Sequence, residues 1–208
     1  MKLNNILFYF ILIQMLMSSE LLNCLLDDEN WEYKKKVQSI SVFEKDICGY
    51  KMIKIKKEIS ISRDEVYKVI KDIENYSEVL TAKNVYSEYV DSKSDTLYGY
   101  QKYYVDFIPF TRNRQLVFKM YEKTKNNLIW EALDQNHYYL DKYSTGDVKT
   151  LTKGAGSWEF ISNNNKNFLV HRFYMDTELN IPEFLLSGPR ENSVLQIFSD
   201  VLLEAKNS

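Results

Sequence analysis

Arg114 is the charged member of an otherwise apolar row, sharing strand parity with Leu116, Phe118 and Met120. If that row faces a concave apolar surface, a guanidinium points into it, and a buried charge needs either a structural partner or an anionic ligand group. Two readings stand: a hook for a phosphate or carboxylate head group, or an ion pair at the sheet end with Asp106 or Asp176. Trp130 shares parity with Leu128 and Ala132, and Trp158 with Phe160; both suit a ligand cavity and ordinary core packing alike. Tyr98, Tyr100, Tyr103, Tyr104, Tyr138, Tyr139, Tyr143 and Tyr174 each carry an apolar ring and a polar tip, which fits an amphipathic ligand. Strand propensity alone also favours tyrosine.

Covalent and metal chemistry find little support. The chain has two histidines, His137 and His171, and no cysteine–carboxylate cluster to complete a zinc site. A G-x-S-x-G elbow, a Walker A loop and a dinucleotide glycine motif are all missing. With 27 basic and 29 acidic residues the net charge is −2, so nothing indicates a nucleic-acid footprint. No catalytic residue, metal or cofactor is expected.

These side chains must be held by strands and two helices. Isoleucines 53, 55, 59 and 61 share one parity against Lys54, Lys56 and Glu58, the pattern of a strand with one wet face. Strands are predicted over Val37–Lys45, Tyr50–Ile61, Asn84–Asp91, Thr96–Phe107, Arg112–Lys123, Leu128–Gln135, Gly146–Ile161 and Phe168–Glu178. Asn163 to Asn167 reads as a hairpin turn. Between the second and third strands, Ser62 and Glu65 form a capping box ahead of Val66, Val69, Ile70 and Ile73. The last thirty residues form a long amphipathic helix entered through Ile181-Pro182, with a kink or restart expected at Gly188-Pro189. Its apolar face holds Val194, Leu195, Ile197, Phe198, Val201, Leu202 and Ala205. Burying that face is worth roughly 10–20 kcal/mol as an upper bound, so a broad apolar surface must receive it. Strands grouped apart from helices define an α+β class, with a curved antiparallel sheet around the terminal helix.

The first residues read as a targeting segment. Lys2 precedes an apolar run from Ile6 to Met17, too short for a typical membrane span of ~20 residues. Residues 1–23 are expected to be a signal peptide, 24–36 a short N-terminal segment and 37–206 the folded domain. Leu21-Leu22-Asn23-Cys24 resembles a bacterial lipobox, so Cys24 is a candidate for lipidation, and the protein is expected to be exported, periplasmic or anchored as a lipoprotein. If Cys24 is lipidated, Cys48 is a single buried thiol; otherwise the two allow one disulfide. Lys34-Lys35-Lys36 is a solvated face or a contact for a membrane surface.

Several motifs together resemble the START lipid-transfer domain, within the superfamily that includes polyketide cyclases. Asp72 to Tyr76 is similar to a D-x-x-x-Y helix end. Pro109 to Val117 is similar to P…N-R-D-x-V, with Gln115 in place of Asp. Gly154-x-Gly156-x-Trp158 is similar to a G-x-W strand, and Asp176 to Pro182 to D…G-x-I-P without its glycine. The resemblance covers roughly residues 35–206 and implies a helix-grip fold with a hydrophobic tunnel between sheet and C-terminal helix. It implies a monomer that binds one lipid or lipid-like molecule for transfer or sensing, beneath a lid. The lid candidate is the loop holding His137 to Leu140. The ligand-contacting set so implied is Tyr103, Arg114, Leu116, Phe118, Met120, Trp130, Tyr139, Trp158, Tyr174, Val194 and Phe198. Some members carry a second arginine six residues beyond the first, where this chain has Met120, which implies a site without charge at its centre. An enzyme of the cyclase-like branch and an envelope interaction protein with a closed core remain the alternatives.

Overall fold

A computed structural model describes residues 20–47, 49–81, 85–104, 111–134, 137–143, 148–179 and 183–208, the side chains of 183–186 excepted. The described residues open with helix α1 over residues 20–26. Three strands follow, β1 (Glu32–Val37), β2 (Ile40–Ile47) and β3 (Tyr50–Ile59). Next come α2 (Arg63–Lys71), a 3₁₀ turn at Ile73–Asn75 and the short α3 (Tyr76–Val79). Strands β4 (Val85–Lys93), β5 (Thr96–Tyr103), β6 (Asn113–Thr124) and β7 (Asn127–Ala132) lead to α4 (Tyr138–Asp141). Strands β8 (Val148–Thr150), β9 (Gly154–Asn163) and β10 (Lys166–Met175) precede the long α5 (Glu183–Asn207).

The strands make one open sheet in the order β1-β2-β3-β10-β9-β7-β6-β5-β4. Every pairing along that path is antiparallel, and β8 lies parallel on β6 over three register positions. Two hairpins turn on non-glycine residues with positive φ, Gln38-Ser39 (47° and 67°) and Asn164-Asn165 (48° and 62°). This is the twist a two-residue hairpin loop requires. The α+β helix-grip architecture expected from the sequence is present. Three expectations need correction. Glu32–Val37 is a six-residue edge strand, so the sheet reaches into the short N-terminal segment expected over 24–36; its exposed EYKKKV gives no apolar alternation to announce it. Where one bent strand is expected over 146–161, the described residues from 148 onward form two separate strands, β8 and β9. Helix α5 also runs through Pro189 without a restart.

Helix α2 starts as the sequence dictates: Ser62 accepts the Glu65 N–H, and the Glu65 carboxylate accepts the Ser62 N–H. Its buried stripe of Val66, Val69 and Ile70 packs beside α5, which also meets α3 and β3. Val194, Phe198, Val201, Leu202 and Ala205 of α5 are buried with Ile53, Ile55, Leu116, Phe118, Met120 and Trp158, and this main core fills the inner face of the sheet.

The outer face is not simply wet. Leu21, Leu22 and Leu25 of α1 pack with Met52, Ile129 and Ala155 on the other side of the strands. Elsewhere on that face, Leu140 of α4 is buried with Tyr100, Val117 and Leu133. The expected boundary at residue 23 therefore falls inside a helix whose leucines belong to the packed structure. Cys24, in the same helix, is disulfide-bonded, and the chain's other cysteine, Cys48, lies outside the described residues. One sulfur cannot hold both a disulfide and a lipid thioether, so this arrangement runs against lipidation at Cys24.

Candidate functional site

The site is a gap in the main core, where the inner face of the sheet meets the flank formed by α2, α3 and α5. Helix α2 contributes Val69 and Ile70, α3 contributes Tyr76 and Val79, and α5 contributes Ile197 and Val201. The sheet contributes Gln101 and Tyr103 from β5, Phe118 and Met120 from β6, Trp130 from β7, Trp158 from β9, and His171 and Phe173 from β10. Leu80 and Val85 complete it. The cavity they enclose is about 90 Å³, well below the roughly 300 Å³ at which drug-sized pockets begin. A longer ligand has to displace some of these side chains.

Close backbone approach explains why glycine faces the large rings. Gly156 is the register partner of Trp130, and a Cβ on it would lie 2.2 Å from Trp130 Nε1. Gly99 opposes Phe118 in the same way, with a Cβ 2.4 Å from the ring. The Gly-x-Trp motif thus has a physical role here: the glycine lets one tryptophan lie flat against the strand that carries the other. Trp158 is then fixed between two rings, stacked on His171 at 3.9 Å and on Phe198 at 5.8 Å.

Polar groups on the lining are neutral and mostly committed. Tyr103 donates to Gln101 Oε1 at 2.7 Å, and Gln101 Nε2 donates to Ser87 Oγ at 3.2 Å. Tyr76 donates to the Ile70 carbonyl. Burial pushes both tyrosine hydroxyls well above their ordinary pKa. His171 Nδ1 lies 3.0 Å from the Ser157 carbonyl. A carbonyl can only accept, so Nδ1 carries the proton and Nε2 the lone pair. Burial lowers the His171 pKa to about 4 against the pull of that hydrogen bond, so the ring is neutral at pH 7. Asp200 of α5 ties the segment after α3 in place, accepting from the Thr81 N–H at 2.9 Å and its hydroxyl at 3.0 Å.

Of the residues singled out from sequence, Tyr103, Phe118, Met120, Trp130 and Trp158 line the cavity. Leu116, Val194 and Phe198 sit in the solid core beside it; Phe198 is fully buried. Ile197 and Val201 take the lining position on α5 instead, because its apolar face is wide enough to serve both core and cavity. Tyr174 points to the outer face, where its ring meets Tyr50 at 5.0 Å. Tyr139 is also on the outer face, against Tyr98 at 4.9 Å. The loop proposed as a lid therefore packs on the far side of the sheet from the cavity. Its α4 is anchored by Leu140 and by Tyr143, which stacks on Tyr100 at 3.9 Å.

Arg114 is buried, yet it does not line the cavity. Its Nε donates to the Thr177 carbonyl at 3.0 Å, Nη2 to the Glu178 carbonyl at 3.2 Å, and Nη1 to the Arg112 carbonyl. Asp106, one suggested partner, lies outside the described residues. Glu178 has φ of 48°, the left-handed region that favours glycine. It stands in the stretch where the family pattern has its glycine. Asp176 accepts the Glu178 N–H at 2.9 Å, and Lys149 pairs with the Glu178 carboxylate at 2.6 Å. Arg114 thus clamps an unfavourable turn ahead of α5. Sequence reasoning missed Gln101, His171 and Phe173. The alternation of β10 could have placed the last two opposite Arg172.

No family model and no curated protein matches the chain. Solved structures do match in fold. The STAR-related lipid transfer protein fragment from Xanthomonas axonopodis superposes with a TM-score of 0.69 at 15% identity, over 86% of this chain and 99% of that one. Human StAR-related lipid transfer protein 5 gives 0.68 at 13% identity, over 94% and 97%. The di-domain ARO/CYC StfQ from the steffimycin biosynthetic pathway gives 0.50 at 9% identity, over 75% of this chain and 52% of that one. The chain has the START-like helix-grip fold.

Proposed function

We propose that this protein binds one lipid or other hydrophobic ligand between the inner face of the sheet and α5, for transfer or sensing. The observation that carries the reading is the lining itself: an apolar gap with six phenylalanine, tyrosine and tryptophan rings and, among the described residues, no charged side chain, in the middle of the main core. Likeness in fold to lipid transfer proteins supports it. A closed-core interaction protein is the second reading, favoured by the small volume of about 90 Å³. Native mass spectrometry with solvent extraction of the purified protein separates the two. A copurifying hydrophobic molecule is expected; an empty protein that takes up no added lipid would favour the closed core.

Export is part of the proposal, with the processing site ahead of residue 20 so that α1 is retained. The Cys24 disulfide supports it, since such bonds persist in oxidising compartments. A mature N-terminus beyond residue 20, or an unprocessed chain, would contradict it.

A further inference from the structure

Resting on that reading, we infer that the cavity selects a neutral ligand bearing a hydroxyl group, which His171 Nε2 receives as hydrogen-bond acceptor. Three observations converge. First, no lysine, arginine, aspartate or glutamate is among the described residues of the lining. An ionised head group would leave water with no partner charge, which is prohibitive in an apolar space. Arg114, the cation nearest in strand register, is spent on three backbone carbonyls.

Second, the Nδ1–H bond to Ser157 fixes the histidine tautomer. The Trp158 stack at 3.9 Å fixes the plane of the ring. Nε2 is left with no hydrogen-bond partner among the described residues, although the side chain is only 2% exposed and lines the cavity. An acceptor left open on an otherwise apolar wall gains a hydrogen bond when a ligand donor reaches it.

Third, the indole N–H of Trp158 also makes no hydrogen bond to a described residue, and its ring lines the same space. A hydroxyl can donate to the imidazole and accept from an indole. An ether can only accept, and a carboxylate adds lone pairs and a charge that nothing in the lining balances. The other polar groups cannot substitute for Nε2 as readily, since Tyr76 donates to the Ile70 carbonyl, Tyr103 to Gln101, and Gln101 in turn to the Ser87 hydroxyl.

The test is a tryptophan-emission titration at pH 7.5 with three ten-carbon probes: decan-1-ol, its isomer 1-methoxynonane, and decanoate. The inference predicts that the alcohol binds at least about tenfold more tightly than either other probe, equivalent to roughly 1.4 kcal/mol. In His171→Phe, which keeps a stacking ring, the alcohol should weaken about tenfold to the level of the ether, and the ether should not change. Binding of the ether or decanoate within twofold of the alcohol overturns the hydroxyl preference and leaves the cavity reading intact. So does an unchanged alcohol affinity in the variant. Failure of all three probes to bind overturns the cavity reading, and this inference with it. The ranking of probes on the unaltered protein decides the matter even if the variant folds poorly.

Discussion

The two faces of one sheet are built on opposite principles. The inner face is covered by α2 and α5, and its buried side chains are almost all apolar, with a residual gap at the centre. The outer face is covered piecemeal by α1 and α4, and its buried side chains include full charges. Lys45 is 1% exposed, donating to the Asp27 carbonyl and carboxylate at 2.9 and 2.8 Å. Arg172, also buried, reaches Asp28 and Glu159 at 2.7 Å each. Burial beside these groups lowers Lys54 to about 8 against the pull of Asp28. Neighbouring residues on β10 thus serve different ends: Arg172 latches the N-terminal segment to the outside, and His171 presents an uncharged ring to the inside. Charges serve to attach a cover. Their exclusion from the inner lining leaves a space suited to a neutral ligand.

That contrast can be broken by substitution. The largest effect should come from Phe198→Ala, at about 3–5 kcal/mol in urea unfolding, because the ring lies in solid core stacked on Trp158. A much smaller loss would mean that α5 turns this ring to the cavity. Next is the pH dependence of His171. The ring's ordinary pKa of 6.5 falls to about 4 on folding, so between those values the unfolded chain binds more protons. Its contribution is fully present above pH 6.5 and lost as pH falls through about 4, on the order of 3 kcal/mol. Urea titrations from pH 7.5 to 4 should show this slope, flattened in His171→Phe. His137, also lowered chiefly by burial, acts in the same direction. Leu25→Ala on the outer face should cost about 2–3 kcal/mol while leaving ligand affinity unchanged. Arg114→Gln should cost about 1–3 kcal/mol through its orphaned carbonyls, with no change in the ranking of anionic and neutral probes. A selective loss of anionic lipid in that variant would restore the head-group hook.

Much of this was legible in the sequence, and what was not has physical causes. The Ser62–Glu65 box was readable because capping demands those residue types at that spacing, and the Leu116, Phe118, Met120 row because its alternate positions include the polar Gln115 and Lys119, although Val117 there is buried too. Strand β10 was ambiguous, since Phe173 and Tyr174 are both aromatic and α1 buries the outer parity as well. A glutamine such as Gln101 reads as a solvent residue, and only its partners Tyr103 and Ser87 place it on the cavity. The tyrosine-rich loop resembled a lid because aromatic tips suit a ligand; its true contacts, Tyr98 and Tyr100, lie on outward positions of β5 that parity alone assigns to water.

The measurement that bears most directly on ligand binding at the inner face is a cavity-filling substitution, Val201→Phe, read by native mass spectrometry and thermal unfolding together. Val201 is 4% exposed and lines the gap from α5. The added ring should occupy the space of about 90 Å³. The protein should remain folded and lose its copurified or added ligand by at least about tenfold, worth roughly 1.4 kcal/mol. A folded Val201→Phe protein that retains ligand at the unaltered level would place the ligand elsewhere and contradict the account.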